Sequence, residues 1–135
     1  MDPRDAAPPL IRRQDYAPPA YLVDEVRLDV GVARPWATIA STLRIRRNPA
    51  GAGGPLVLAG EHLELLGIRL DGRDLAPADY AIDAESLAIA SVPEAFTLQV
   101  TGRLDPWKNT RLEGFYASKD GLFTQCEAEG FRAIT

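Results

Sequence analysis

From Tyr21 to Arg47 the chain alternates apolar and polar residues in two long runs, interrupted at Arg34-Pro35. Val26, Leu28, Val30 and Val32 fall between Glu25, Arg27, Asp29 and Gly31. Successive side chains on a strand point to opposite faces, so a period of two marks a strand with one face covered and one face wet. Trp36 to Arg47 repeats the pattern. Ala37, Ile39, Ser41, Leu43 and Ile45 share one face, and Thr38, Thr42, Arg44 and Arg46 share the other. Proline cannot donate to a ladder and restricts the residue before it, which places Arg34-Pro35 at a turn. Two such strands across a short turn predict an antiparallel hairpin.

The remaining chain continues in short strands. Asn48 to Pro55 reads as a loop and Leu56 to Leu58 as a short buried strand. Between His62 and Asp71 the alternation slips at Leu66-Gly67. A glycine at such a slip predicts a bulge. Leu63, Leu66 and Leu70 also fit a helical face, but Asp71-Gly72 is a hairpin turn signal and favours strand. Tyr80 to Asp83, Leu87 to Val92 and Phe96 to Leu104 complete the set. Short strands with turn signals every ~8–12 residues predict an all-β, antiparallel sandwich or barrel. Residues 1–19 read as an extended, Pro-rich tail, and residues 20–135 as one β domain. Asp105 to Tyr116 does not alternate. Phe131 to Ile134 makes an apolar ending, whereas termini are ordinarily polar, so an incomplete domain is expected.

Composition removes several chemistries. The sequence has one Cys and one His. It therefore supports no internal disulfide and no His/Cys zinc site, and H-E-x-x-H needs two His. A net charge of −4 lacks the positive field of a nucleic-acid binder. No apolar run approaches the ~20 residues of a membrane span, and the N-terminal residues carry no apolar signal region. A cytoplasmic protein with a reduced thiol at Cys126 is expected.

Few residues point to chemistry on their own. Glu127 and Glu129 are two apart and would share a face on a strand, where paired carboxylates could bind a cation or an ammonium group. The plainer alternative is a solvated edge. A glycosidase-like pair is disfavoured, because positions i and i+2 offer no opposite-face geometry. His62 lies between Glu61 and Glu64 and reads as an exposed strand start. Cys126 has no cationic sequence neighbour to stabilise a thiolate, so packing, or mere burial near a site, is its expected role. Arg44, Arg46 and Arg47 read as a solvated strand face. Gly51 to Gly54 lacks the Lys-Ser/Thr of a phosphate loop.

Five segments carry a resemblance. Thr124-Gln125-Cys126-Glu127-Ala128-Glu129-Gly130-Phe131-Arg132 resembles a signature in the N-terminal domain of the aminopeptidase N family, the gluzincin zinc metallopeptidases, in its bacterial branch. Asn109 to Tyr116 is similar to the family's N-T-x-L-E-G-[LF]-Y, and Leu58 to Leu63 to its L-x-G-E-x-L. Pro93 with Phe96-Thr97-Leu98, and Asp15-Tyr16 with Pro18, Pro19 and Tyr21, fit further blocks in order. Ala133 departs from the bulkier residue of the family's F-R-x-I-T.

The resemblance implies a saddle-like all-β domain that precedes a thermolysin-like catalytic domain. The H-E-x-x-H and G-x-M-E-N motifs of that catalytic domain do not occur in this sequence. The chain is thus expected to be the N-terminal part of a zinc aminopeptidase, to end before the β domain is complete and to be inactive alone. Zinc is expected in the full-length protein and no cofactor in this chain. By the same resemblance Glu127 pairs with the α-ammonium of a peptide substrate, and Gln125, placed on the same strand face, lines the pocket for its first side chain. Arg132 would neutralise Glu129. The expected partner is a peptide, with no nucleic acid and no membrane. An unpaired sheet edge would also favour self-association. The rival reading is a stand-alone β-sandwich binding or adaptor module.

Overall fold

The computed structural model describes residues 10–127 and 130–135, so residues 1–9 of the predicted tail lie outside the described residues. Residues 10–19 are exposed and contain one 3-10 turn at Arg13–Asp15 rather than a wholly extended run.

The predicted hairpin is present. Strand β1 (Tyr21–Ala33) pairs antiparallel with β2 (Trp36–Arg47), and Ala33 sits opposite Trp36 across Arg34-Pro35. Strand β3 is Leu56–Ala59, and β4 is Glu64–Leu70. The glycine slip in β4 is a register shift between Leu65 and Gly67. Asp71 and Gly72 both take positive φ, 47° and 81°, and turn β4 into the two-residue β5 (Arg73–Asp74). Positive φ at both central residues is what a tight hairpin turn requires. Strands β6 (Ala81–Ile82), β7 (Ser86–Ile89) and β8 (Ala95–Leu104) follow.

These strands form a five-stranded antiparallel sheet in the order β1-β2-β8-β4-β5 and a three-stranded sheet in the order β3-β7-β6. The fold class is all-β and antiparallel, as the alternation predicts. Apolar side chains from both sheets meet in one core, with Ile45, Ile68, Phe96 and Leu98 facing Leu56, Leu87 and Ile89. Leu98 on β8 is fully buried. A cavity of about 520 Å³ opens where the two sheets diverge, lined by Ile39, Leu43, Leu58, Leu65 and Leu87. On β1 the alternation is correct but the covering is partial: Val26 is 51% exposed and Val32 46%. The cause is topological, since β1 lies at the sheet edge and has covered neighbours on one side alone.

Asp83 organises the turn between β6 and β7. Its Oδ1 accepts from the backbone N–H groups of Glu85 and Ser86 at 2.8 and 2.7 Å. These donors, with the Ser86 hydroxyl, hold the carboxyl below its usual range. A carboxyl lowered by folding contributes stability above its unfolded pKa of ~3.9 and loses that contribution as pH falls through its folded value. Asp83→Asn is therefore expected to melt below the wild type at neutral pH. The gap should close as pH falls below ~3.9 and onward through the folded value, as read from melting curves across pH.

Candidate functional site

Three of the five family-like motifs meet at one end of the fold, largely on elements the alternation did not reveal, while Tyr21 and Phe96 of the other two pack together at the opposite end. Strand β9 (Gly114–Ser118) and β10 (Gly121–Gln125) form a second hairpin, with Tyr116 opposite Phe123. Their rings stack with centroids 5.8 Å apart, a cross-strand aromatic contact that fixes the register. A 3-10 helix at Gly130–Ala133 then packs against β9. Behind it lies a second apolar cluster of Ala37, Ile39, Leu104, Phe115 and Ile134, with Cys126 packed against it. The apolar ending of the chain is thus part of a core, and Cys126 has the packing role expected of it.

Glu127 does not lie on a strand. Strand β10 ends at Gln125, and Glu127 occupies the turn that follows. That turn is closed by the Gly130 N–H, which donates to the Cys126 carbonyl at 3.0 Å. The shared strand face expected for Gln125 and Glu127 is therefore corrected: the i→i+4 bond bends the backbone before the alternation reaches Glu127. Glu129 lies outside the described residues. Gln125 and Glu127 are both exposed, and Glu127 makes no ion pair among the described residues.

Two glycines make this arrangement possible. A Cβ on Gly130 would meet the Gln125 carbonyl oxygen at 2.7 Å, so only glycine lets the helix start this close to β10. Gly114 has φ +75°, and a Cβ there would lie 2.8 Å from the Ala133 Cβ. The small Ala133, a departure from the family pattern, sits directly against Gly114.

Arg132 ties the helix to the end of the main sheet. Its Nε donates to Oε1 of Glu61 at 2.6 Å, and its guanidinium stands 3.9 Å from Glu113. The Glu61 N–H in turn donates to the Arg132 carbonyl at 2.9 Å. Glu61 and Glu113, from the L-x-G-E-x-L and N-T-x-L-E-G blocks, therefore converge on one arginine. His62, with φ +58°, is exposed as expected and borders the inter-sheet cavity.

Sequence reasoning missed the role of Asn109. Its side-chain amide donates to the carbonyls of Glu113 and Phe115 at 2.8 and 2.9 Å, and its Oδ1 accepts from the Arg111 N–H at 3.0 Å. The clamp holds a loop in which Leu112 has φ +59° and is 60% exposed. A bulky non-glycine residue in the left-handed region is strained, and such strain marks functional surfaces. The asparagine at the head of the N-T-x-L-E-G block was the available signal. Among the described residues no group of three His, Cys, Asp or Glu side chains is placed to hold a metal ion. No helix among them is long and apolar enough to cross a membrane.

No family profile matches the chain. Individual relatives do. Aminopeptidase N of Caulobacter vibrioides is 41% identical over 132 residues, which is 98% of this chain and 15% of that protein. Aminopeptidase A of Legionella pneumophila, solved in complex with aspartic acid, superposes with a TM-score of 0.79 at 27% identity, over 88% of this chain and 14% of that one. The M1 zinc metallopeptidase of Deinococcus radiodurans, solved as an E323A mutant bound to Tyr-Ser-Ala, shares the fold with a TM-score of 0.67 at 14% identity, over 86% of this chain and 28% of that one. The chain thus spans about 15% of the length of its Caulobacter relative. With homology over nearly its whole length and the same all-β architecture, this chain is a homologue of the aminopeptidase N proteins, consistent with an N-terminal fragment of one.

Proposed function

We propose that residues 20–135 serve as the β domain of a zinc-dependent aminopeptidase, which removes residues from peptide N-termini, and that Glu127 is the anchor for the substrate's α-ammonium. The observation that carries this reading is the placement of Glu127: exposed, on a turn held by its own backbone, and beside Cys126, which is packed into the second cluster. The names of the relatives support the activity class. A carboxylate makes strong charge-assisted hydrogen bonds to an ammonium, and these strengthen in a cleft that excludes water. A carboxylate that must meet an ammonium lets the enzyme count from the chain end, because a blocked N-terminus leaves it desolvated and unpaired. Gln125, exposed at the end of β10, is assigned to the surface that meets the first side chain.

The described residues do not fit a zinc site. In this proposal the metal is held by a catalytic domain outside the chain, and the chain alone is inactive. The single partly buried thiol, Cys126, fits a reducing cytoplasmic setting. The test compares two proteins: the purified 135-residue chain and the product of the longest reading frame that contains it. The longer product is expected to hydrolyse peptides with a free amine in a zinc-dependent way, to leave N-acetylated peptides intact, and to account for all the activity. Equal hydrolysis of acetylated peptides, or activity in the 135-residue chain, would overturn the proposal.

A further inference from the structure

The two edges of the five-stranded sheet differ. One is the two-residue β5, short and charged, the usual way an edge is kept from pairing. The other is β1, 13 residues long, with no proline inside it and with β2 as its one neighbour among the described residues. Its outward backbone groups are a template for another strand. Its apolar face stays half-uncovered at Val26, Leu28 and Val30.

The side chains of β1 specify what pairs there. Two charges near the bulge are already engaged: Asp24 by Arg46 at 2.9 Å and Glu25 by Arg44 at 2.9 Å. Arg27 is left with a 3.9 Å approach to Glu25, its side chain 80% exposed. Asp29 makes no ion pair among the described residues. Arg27 and Asp29 flank Leu28 symmetrically, and Val26 and Val30 flank them in turn.

The geometry points to a second copy of this chain as the partner of β1, paired antiparallel about a two-fold axis through Leu28. In that register Leu28 faces its own copy, Val26 faces Val30, and Arg27 faces Asp29 twice, once on each side of the axis. Opposite charges on directly facing residues stabilise antiparallel pairs, and like charges destabilise them. Residues that face each other must lie on the same side of the sheet, so the register can shift only in steps that move the axis by one residue. Moving the axis to Arg27 sets Arg27 against Arg27 and Glu25 against Asp29. Moving it to Asp29 sets Asp29 against itself. The Leu28 register alone among the three joins apolar to apolar and positive to negative. Its central pairs, from Glu25 opposite Gly31 to Gly31 opposite Glu25, lie beyond the register shift between Val23 and Glu25. The product is one continuous ten-stranded sheet. This inference rests on β1 and is independent of the role assigned to Glu127.

Sedimentation equilibrium on the 135-residue chain tests it. The wild type is expected to form a concentration-dependent dimer. Arg27→Asp or Asp29→Arg alone should weaken that dimer by about tenfold, because each creates two like-charge pairs. The combined variant Arg27→Asp with Asp29→Arg should regain the wild-type constant. Nitroxide labels on Leu28→Cys, in a Cys126→Ser background, should be close to one another across the axis. Labels on Val32→Cys should be about 26 Å apart along the strands, since each faces Asp24 of the other copy. A monomer at every concentration, a dimer indifferent to single reversal, failure of the double reversal to restore it, or equal label distances at the two sites would overturn the proposal.

Discussion

Glu127→Ala in the full-length enzyme is expected to lower kcat/KM for free-amine peptides on the order of 10²- to 10³-fold, or about 3–4 kcal/mol of transition-state stabilisation. The magnitude follows from what the substitution leaves behind. The substrate ammonium would still enter a water-poor cleft and would find no anion there, so the loss includes its desolvation as well as the missing contact. Glu127→Gln keeps the shape and one acceptor but not the charge, and should lose nearly as much. The loss should fall on kcat/KM for every peptide with a free amine, whatever its first side chain. A Gln125 substitution should instead change the ranking of first residues. Steady-state kinetics on a small panel of dipeptide amides separates the two. A Glu127→Ala enzyme with unchanged kcat/KM would remove the anchor role.

Gly114→Ala is expected to cost about 3 kcal/mol of stability, seen as a fall in the urea midpoint. Two physical terms combine. The left-handed backbone at φ +75° disfavours any Cβ by ~1–2 kcal/mol. The new methyl would also stand 2.8 Å from the Ala133 Cβ and 3.0 Å from its carbonyl oxygen, an overpacking term of ~1–3 kcal/mol. A double-mutant cycle divides them. Ala133→Gly removes the nearer obstacle, so the pair Gly114→Ala with Ala133→Gly should cost less than the sum of the single changes. Strict additivity would show that the backbone term alone is at work. Ala133 belongs to the 3-10 helix, so the same variant is expected to shift that helix and the turn before it that carries Glu127.

What the sequence disclosed depended on length and on period. Strands β1, β2 and β8 were legible because each is ten or more residues long and alternates an apolar with a polar face. Asp71-Gly72 was legible because its residues accept the positive φ the turn demands. The β9–β10 hairpin was not, because Phe115-Tyr116 and Leu122-Phe123 place apolar residues side by side. Phe115 is buried, while Leu122 and Phe123 remain exposed, so no period of two appears. The turn itself is Lys119-Asp120, with Ser118 opposite Gly121, and the lysine that takes the positive φ of 53° is not a residue that announces a turn. The site was legible in identity rather than in geometry. Gln125 and Glu127 stand in a recognisable motif, but the end of β10 between them accompanies the Gly130 bond to Cys126, a four-residue turn that apolar alternation does not encode. The Asn109 clamp is local, reaching only to Arg111, Glu113 and Phe115, but it sits in a segment with no period to read. The Glu61–Arg132 pair joins segments far apart in sequence, and a pairing of that kind leaves no local trace.

The two long inner strands, β2 and β8, run through both apolar clusters: Ile45, Phe96 and Leu98 belong to the first, and Ala37, Ile39 and Leu104 to the second. They act as common girders under two otherwise separate rooms. The short hairpin and helix that present Glu127 are bolted to the far end of those girders through Phe115 and Ile134. The stiffness with which the carboxylate is held is accordingly set by the ten-pair ladder between β2 and β8 rather than by the five-pair hairpin that presents it.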